Sequence, residues 1–396
     1  MGIGTTEVQD DREQASRQKD DGRLSAENKK IQKDLKNWRE AFTVKRAIRE
    51  QGTKNMEEAF TFAELCSGGC LDTLAAMRVG FVPVWSSEID ECQRRMYEDL
   101  TGAKCLGDTF GREVAEASRM HYLKSGQPCP NWSRSGNGLG ENGDTGWMFV
   151  KQTEVILGKM PWSFRLEISD HATEIEGGKT VRKVIETLEA KYVVYSKVIQ
   201  MWRMGDPSNR SRLFIIGFDK RLGQAAQEFK WPTPSYDEQR VPIARLIAVE
   251  DEEVLADFWR YDEVIEQDHW GFEGIADKIQ VIARKGKTMG SAKWPNVIRS
   301  WDGLLNGPTT LGGGGRGPEL KWTSGQKIKR TRMTVPVEYQ RAASLPNDYI
   351  EWCRSHANGN SNEFILRCIN NGVPMRTSAA IDDAVMKVLK MAKQRE

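Results

Sequence analysis

Phe60-Thr61-Phe62-Ala63-Glu64-Leu65-Cys66-Ser67-Gly68-Gly69, followed by an apolar stretch from Leu71 to Val79, then Gly80, Phe81 to Trp85 and the acids Glu88 and Asp90, is the stretch that decides the fold. A short run of β-branched, aromatic and aliphatic residues that stops at Ser-Gly-Gly reads as a buried strand ending in a turn. The next segment has helical spacing and stops at Gly80, a common residue just past a helix end. The second strand finishes on carboxylates. Strand, glycine turn, helix, strand and acid form a βαβ unit. Its turn lets backbone approach a ligand, and an acid about 20 residues on can accept from ribose hydroxyls. A plain crossover without a ligand is the competing reading.

The alternation continues outward. A helix is expected over 91–101, then Gly107-Asp108 at a strand end, where open α/β sheets bind ligands. Further helices are expected at 147–157 and 179–188, and strands at 161–167, 192–198 and 213–218. Residues 60–218 therefore read as one doubly wound α/β domain. Upstream, residues 1–24 are polar and expected to be disordered, and 26–52 can form a charged helix.

Two points in this domain carry chemistry. In Gly126-Gln127-Pro128-Cys129-Pro130-Asn131-Trp132-Ser133 a cysteine stands between two prolines, on a backbone with little freedom. It can be a nucleophilic thiolate or a small buried residue beside a turn. The run Ser135-Gly136-Asn137-Gly138-Leu139-Gly140 reads as a mobile flap next to it. Asp206-Pro207-Ser208-Asn209-Arg210-Ser211-Arg212 is a turn with two arginines one residue apart, and Glu167 ends the strand before it.

The 396 residues carry a net charge of only +2, so any nucleic-acid surface must be local. Residues 251–277 hold ten acids and one arginine, whereas 284–332 hold eleven Lys/Arg and two acids. The basic segment also carries Trp294, Trp301, Trp322 and a glycine run at 312–315, a composition suited to phosphate contact; a solvated face is the alternative. Seven cysteines without regular spacing argue for a reducing compartment, and four scattered histidines give no metal set. With no secretory segment or membrane-spanning run, the expectation is an intracellular protein, nuclear in a eukaryote and otherwise cytoplasmic or in a host cell.

In order and spacing these residues resemble the cytosine-C5 DNA methyltransferases over about 60–395. Glu64 to Gly68 and Gly80-Phe81 look like the first S-adenosylmethionine motif, Glu88-Ile89-Asp90 the ribose motif, and Gly107-Asp108 the adenine motif. Gly126 to Cys129 with Ser133 looks like the Pro-Cys loop, Leu166-Glu167 the Glu-Asn-Val motif, and Asn209 to Arg212 the paired-arginine motif. Arg332 to Pro346 and Ile369 to Pro374 resemble the last two motifs.

The resemblance implies an S-adenosylmethionine-dependent, Rossmann-like fold with a smaller target-recognition region. Its segments would be a charged extension (1–56), a catalytic cofactor-binding domain (57–230), a target-recognition region (231–331) and a C-terminal segment returning to the catalytic domain (332–396). It implies transfer of methyl to carbon 5 of a flipped-out cytosine in double-stranded DNA by a monomer, with Cys129, Glu167, Arg210 and Arg212 catalytic. Cys66, Ser67, Gly68, Gly69, Glu88, Ile89, Asp108, Pro128, Asn371 and Val373 would line the cofactor. Three positions depart from the pattern: Cys66-Ser67-Gly68-Gly69-Cys70 stands for Phe-x-Gly-x-Gly, Ile168 for asparagine and Ser208 for glutamine. An RNA enzyme of the same fold, or a weakly active or non-catalytic nucleic-acid-binding protein, are the alternatives.

Overall fold

The computed structural model describes residues 26–50, 58–133, 137–236, 247, 334–359 and 361–395, and short strands between 259 and 332. Residues 1–24, and most of the acidic and basic segments, lie outside the described residues.

The strands expected from the sequence, together with one it did not announce (β4), form a seven-stranded sheet: β1 (Thr61–Leu65), β2 (Val82–Ser87), β3 (Lys104–Leu106), β4 (Tyr122–Gly126), β5 (Ser163–Ser169), β6 (Tyr192–Gln200) and β7 (Ser211–Asp219). Their order is β3-β2-β1-β4-β5-β7-β6. The first five run parallel, and β7 enters antiparallel between β5 and β6. Its continuous apolar run (Leu213 to Phe218) is what burial on both faces demands. Six further strands form a second sheet in the order β8-β13-β12-β11-β10-β9: β8 (Trp259–Tyr261), β9 (Trp270–Gly271), β10 (Val281–Lys285), β11 (Val297–Ser300), β12 (Glu319–Leu320) and β13 (Thr331–Arg332).

Helices α1 (Ala26–Glu40) and α2 (Val44–Arg49) precede the main sheet; α3 (Leu71–Val79), α4 (Glu91–Thr101), α5 (Arg112–Glu116), α6 (Met148–Lys159) and α7 (Lys179–Glu189) alternate with its strands. The chain ends with α8 (Pro336–Ala342), α9 (Tyr349–Ser355), α10 (Ser361–Asn371) and α11 (Met375–Lys393). Strand alternation sorts the core. Ala63, Leu65, Leu123, Leu166 and Ile168 pack with α6 and α7 on one face, while Phe62, Tyr122 and Phe214 meet Ile381, Val385 and Leu389 of α11 on the other. A third cluster joins α2, α3 and α4 to α9 and α10. The last 60 residues thus complete the domain that β1 begins. Among the described residues, no helix is long and apolar enough to cross a membrane.

Candidate active site

The parallel strands all end on one side of the sheet, and the charged loop residues collect there. After β1 the chain makes the turn Cys66–Cys70. Gly68 has φ +51°, and the non-glycine residues Cys66 and Cys70 also take left-handed angles of 57° and 63°. Cys70 stands where the resemblance leads one to expect glycine, so its Cβ carries a local strain of about 1–2 kcal/mol. The turn persists because it is held from several sides. Ser67 N–H donates to Ser87 O (3.1 Å) and Cys70 N–H to Ser67 O (3.0 Å). Gly68 N–H donates to Glu88 Oε2 at 2.9 Å. Tyr349 Oη of α9 donates to Gly69 O at 2.8 Å. Gly69 has no room for a side chain: a Cβ there would lie 2.6 Å from Cys368 Cβ.

Glu88 Oε1 also accepts from the backbone of Ile89 (2.8 Å) and Asp90 (3.0 Å), which fixes the carboxylate at the end of β2. Ile89 is 80% exposed, an apolar side chain standing free beside two acids. Asp108 is exposed at the end of β3 and Ser67 is buried. An exposed apolar surface flanked by carboxylates and by a bare glycine turn suits a nucleoside with ribose hydroxyls. Asn371 is exposed, and Val373 belongs to the buried core facing α11, so its side chain is part of the packing rather than of an open pocket. Residue 372 must be small, since a Cβ there would reach Leu71 Cδ2 at 2.7 Å.

At the end of β4, Pro128 is exposed and Cys129 half-buried. The Cys129 thiol donates to Gln127 O at 3.4 Å. Burial and the Glu167 carboxylate push it up to about 11, against the downward pull of Arg212, the Ser169 backbone and Arg210. Glu167 is buried at the end of β5, in register with Gly126. Its carboxyl is raised above the usual carboxylate range, first by burial, with Arg212 and Arg210 opposing. Arg212 Nε lies 2.8 Å from Glu167 Oε1. The N–H is not aimed along that line, so both atoms remain without a hydrogen bond in a buried place. Such orphaned atoms are costly and point to a missing polar group. Arg210 takes a different part: its Nη1 donates to Asn370 O (2.8 Å) and Gly372 O (2.9 Å), tying β7 to the end of α10. Burial and Arg212 push it down to about 9.

The expected flap, Ile168 and Arg210 have settings that the sequence did not show. Of the flap expected at 135–140, residues 135 and 136 lie outside the described residues, and 137–140 are tied to the Cys129 loop. Asn137 N–H donates to Pro130 O (3.2 Å) and Gly140 N–H to Asn131 O (2.9 Å), and Asn131 Nδ2 reaches Thr145 Oγ1 (3.0 Å). Ile168 is fully buried with Trp132 and Ala172 in the apolar cluster under α7, so an aliphatic contact replaces the amide. Arg210 holds backbone carbonyls rather than facing open space.

Sequence reasoning missed Asp72, Lys124, Arg165 and Asp382, all buried. The available signal was a lysine and an arginine inside apolar strands, where charge is rarely left unpaired.

The profile of the C-5 cytosine-specific DNA methylase family matches residues 60–387. The Type II methyltransferase M.NgoBI of Neisseria gonorrhoeae is 34% identical over 167 residues, 41% of this chain and 51% of that protein. M.HaeII of Haemophilus aegyptius is 31% identical over 171 residues, 42% of this chain and 53% of that protein. The chain thus spans about half the length of these curated relatives. Among solved structures, a putative DNA modification methyltransferase encoded within an E. coli prophage superposes with a TM-score of 0.56 at 14% identity, over 84% of this chain and 100% of that one. The S. pombe Dnmt2 methyltransferase gives 0.54 at 12% identity, over 84% and 99%. These likenesses agree on the fold, and the profile match over most of the chain places this protein in the C-5 cytosine-specific DNA methylase family.

Proposed function

We propose that the protein is an S-adenosylmethionine-dependent DNA cytosine-C5 methyltransferase that works through Cys129. The observation that carries this reading is the convergence of a loop thiol with a buried, unsatisfied Glu167–Arg212 pair at adjacent strand ends. Carbon 5 of cytosine is a weak nucleophile. A thiolate adding to carbon 6 forms a C–S bond, moves the double-bond electrons toward ring nitrogen 3, and makes carbon 5 electron-rich. Glu167 supplies the proton at nitrogen 3, and the Arg212 guanidinium steadies the ring carbonyl or the carboxylate left behind. Once carbon 5 has taken up a methyl group, a base removes the carbon 5 proton, nitrogen 3 returns its proton to the Glu167 carboxylate, and the re-forming C5–C6 double bond expels the Cys129 thiolate.

Gly68, Ser67, Glu88, Ile89 and Asp108 would hold S-adenosylmethionine, with Glu88 on the ribose and Asp108 near the adenine amine. When bound it supplies an electrophilic methyl group. The base must leave the duplex to reach Cys129, so base flipping follows. The sheet β8 to β13, with the basic stretch 284–332, is read as the target-recognition part, binding phosphates in a salt-dependent way.

The test is transfer from labelled S-adenosylmethionine to DNA and RNA pools, with trapping on DNA containing 5-fluorocytosine. Wild type should form a covalent adduct with DNA, and Cys129→Ser none. Transfer confined to RNA would move the substrate. Retained cofactor binding with no transfer and no adduct on either pool would make the protein a nucleic-acid-binding relative without catalysis.

A further inference from the structure

Beneath Cys129 and Glu167 lies a buried ionic cluster that the reaction as described does not use. Lys124 and Arg165 are direct partners in the β4–β5 ladder, one step along the same face from Gly126 and Glu167. Both are almost fully buried (0% and 1% exposed). Two cations side by side in a sheet repel, and burial makes each costly unless it is paired. The partners come from helices on that face. Asp382 of α11 accepts from Lys124 Nζ (2.8 Å), Arg165 Nη1 (3.1 Å) and Tyr122 Oη (2.9 Å). Asp72, in the first turn of α3, accepts on Oδ1 from Arg165 Nη2 and from Ser378 Oγ. Lys124 Nζ also donates to Asp72 O at 2.6 Å.

Asp72 Oδ2 is turned the other way. A Cβ on Gly126 would lie 3.8 Å from Asp72 Oδ2 and 3.6 Å from Glu167 Oε2. Both carboxyl groups therefore border the space that a side chain on Gly126 would fill, and Asp72 is among the charges acting on Glu167. Two carboxyls sharing a buried space do not both ionise readily. Asp72 is kept low by Arg165, Lys124 and Ser378 against its own burial. Glu167 is raised by burial and by Asp72, with Arg212, Arg210 and Arg165 opposing. Cys129 is the remaining ionisable neighbour of Glu167. The third carboxyl of the region, Glu64, is raised to about 8 by burial and bonded to Thr73 Oγ1, so it adds little negative charge at neutral pH.

We infer that Asp72 is a positioning residue for Glu167: locked as a carboxylate by Arg165 and Ser378, it borders the space beside Gly126 that Glu167 also borders, and keeps Glu167 as the neutral acid that hands a proton to the substrate. The proton-donor role rests on the proposed methyl transfer; the protonation state does not.

Infrared difference spectra of wild type against Glu167→Gln, in the absence of substrate, read that state directly. A protonated carboxyl band assignable to Glu167 is expected near pH 7. In Asp72→Asn its midpoint should fall by about one pH unit or more, as expected when a nearby like charge is removed. The alkaline limb of the transfer rate should move with it, about tenfold slower at pH 8 and near wild type at pH 6. Asp72→Glu, which keeps the charge, should restore the limb. Ser378→Ala, which takes one donor from Asp72, should shift Glu167 in the same direction by less, and serves if Asp72→Asn does not fold. An ionised Glu167 in wild type at pH 7 overturns the inference. So does an unmoved midpoint in Asp72→Asn with the rate lowered equally at every pH, which marks a purely structural part. A failed trap with 5-fluorocytosine DNA alongside an intact Glu167 band would instead reject the reaction.

Discussion

The thiol of Cys129 should be a poor nucleophile until substrate arrives, and the size of that handicap follows from its surroundings. Burial and Glu167 push it up to about 11 in the free protein. At pH 7.5 the thiolate fraction is then about 3 in 10,000, against about 1 in 10 for a free thiol near 8.5. A more basic thiolate is intrinsically more reactive, and a Brønsted slope near 0.45 over 2.5 pH units recovers about 13-fold of that 300-fold deficit. Cys129 is therefore expected to react with iodoacetamide about 20-fold more slowly than free cysteine at pH 7.5. Its rate should climb about tenfold per pH unit through pH 9. Site-resolved mass spectrometry separates Cys129 from the half-buried Cys66 and Cys92. Glu167→Gln should lower the midpoint by removing a carboxyl that is ionised at the alkaline pH where the thiol titrates, and Arg212→Gln should raise it. A rate that levels off near pH 8.5, or that exceeds free cysteine at neutral pH, would refute the burial argument and indicate a thiol activated before substrate binds.

Glu88→Ala should weaken S-adenosylmethionine binding at least about tenfold by calorimetry, since the carboxylate also braces Gly68 and Ile89; unchanged affinity would remove Glu88 from the site. Gly69→Ala should cost about 1–3 kcal/mol in denaturant unfolding, because its methyl meets Cys368 and Tyr349. Ile168→Asn should lose about 1–3 kcal/mol by burying an unpartnered amide beside Trp132, and an unchanged midpoint would show that the amide finds a partner there. Asp206 is raised to about 6 by burial, although Ser344 and Thr377 bond it. A raised carboxyl favours its neutral form in the fold, so its contribution should be present below about pH 4 and lost as pH rises to about 6. Stability of Asp206→Asn should therefore vary less than wild type across that window, and a parallel pH dependence would contradict the shift.

The first half of the sheet was legible because each of its signals is local. Ser67-Gly68-Gly69 after an apolar run, Gly80 past a helix and acids after β2 need only neighbours in sequence to be read. The position of β7 was not legible. Leu213 to Phe218 states that the strand is buried, and nothing in a continuous apolar run states its direction or which strands flank it. Cys129, Glu167 and Arg212 stood out by their loop and strand-end settings, the resemblance linked them, and the structure brings them together. Arg210 looked equivalent to Arg212, yet lying just before β7 it is turned onto carbonyls 160 and 162 positions away. Lys124 and Arg165 stood out in their strands, but their counterions come from α3 and α11, and pairing over 258 residues leaves no trace in either local sequence.

The cluster that joins those helices has a consequence for how the chain is made. During synthesis Asp72, Lys124 and Arg165 leave the ribosome long before Asp382 and Ser378. For most of that time the nascent sheet carries one anion against two cations, and the turn at Gly69 lacks Tyr349 and Cys368. The strands can pair, but the helix that neutralises them follows Arg165 by 217 residues, and contacts this distant in sequence form slowly. Ribosome-bound intermediates that end before α11 should therefore stay loose and sensitive to protease, and the turn at Gly69 should become rigid only once α11 has been made.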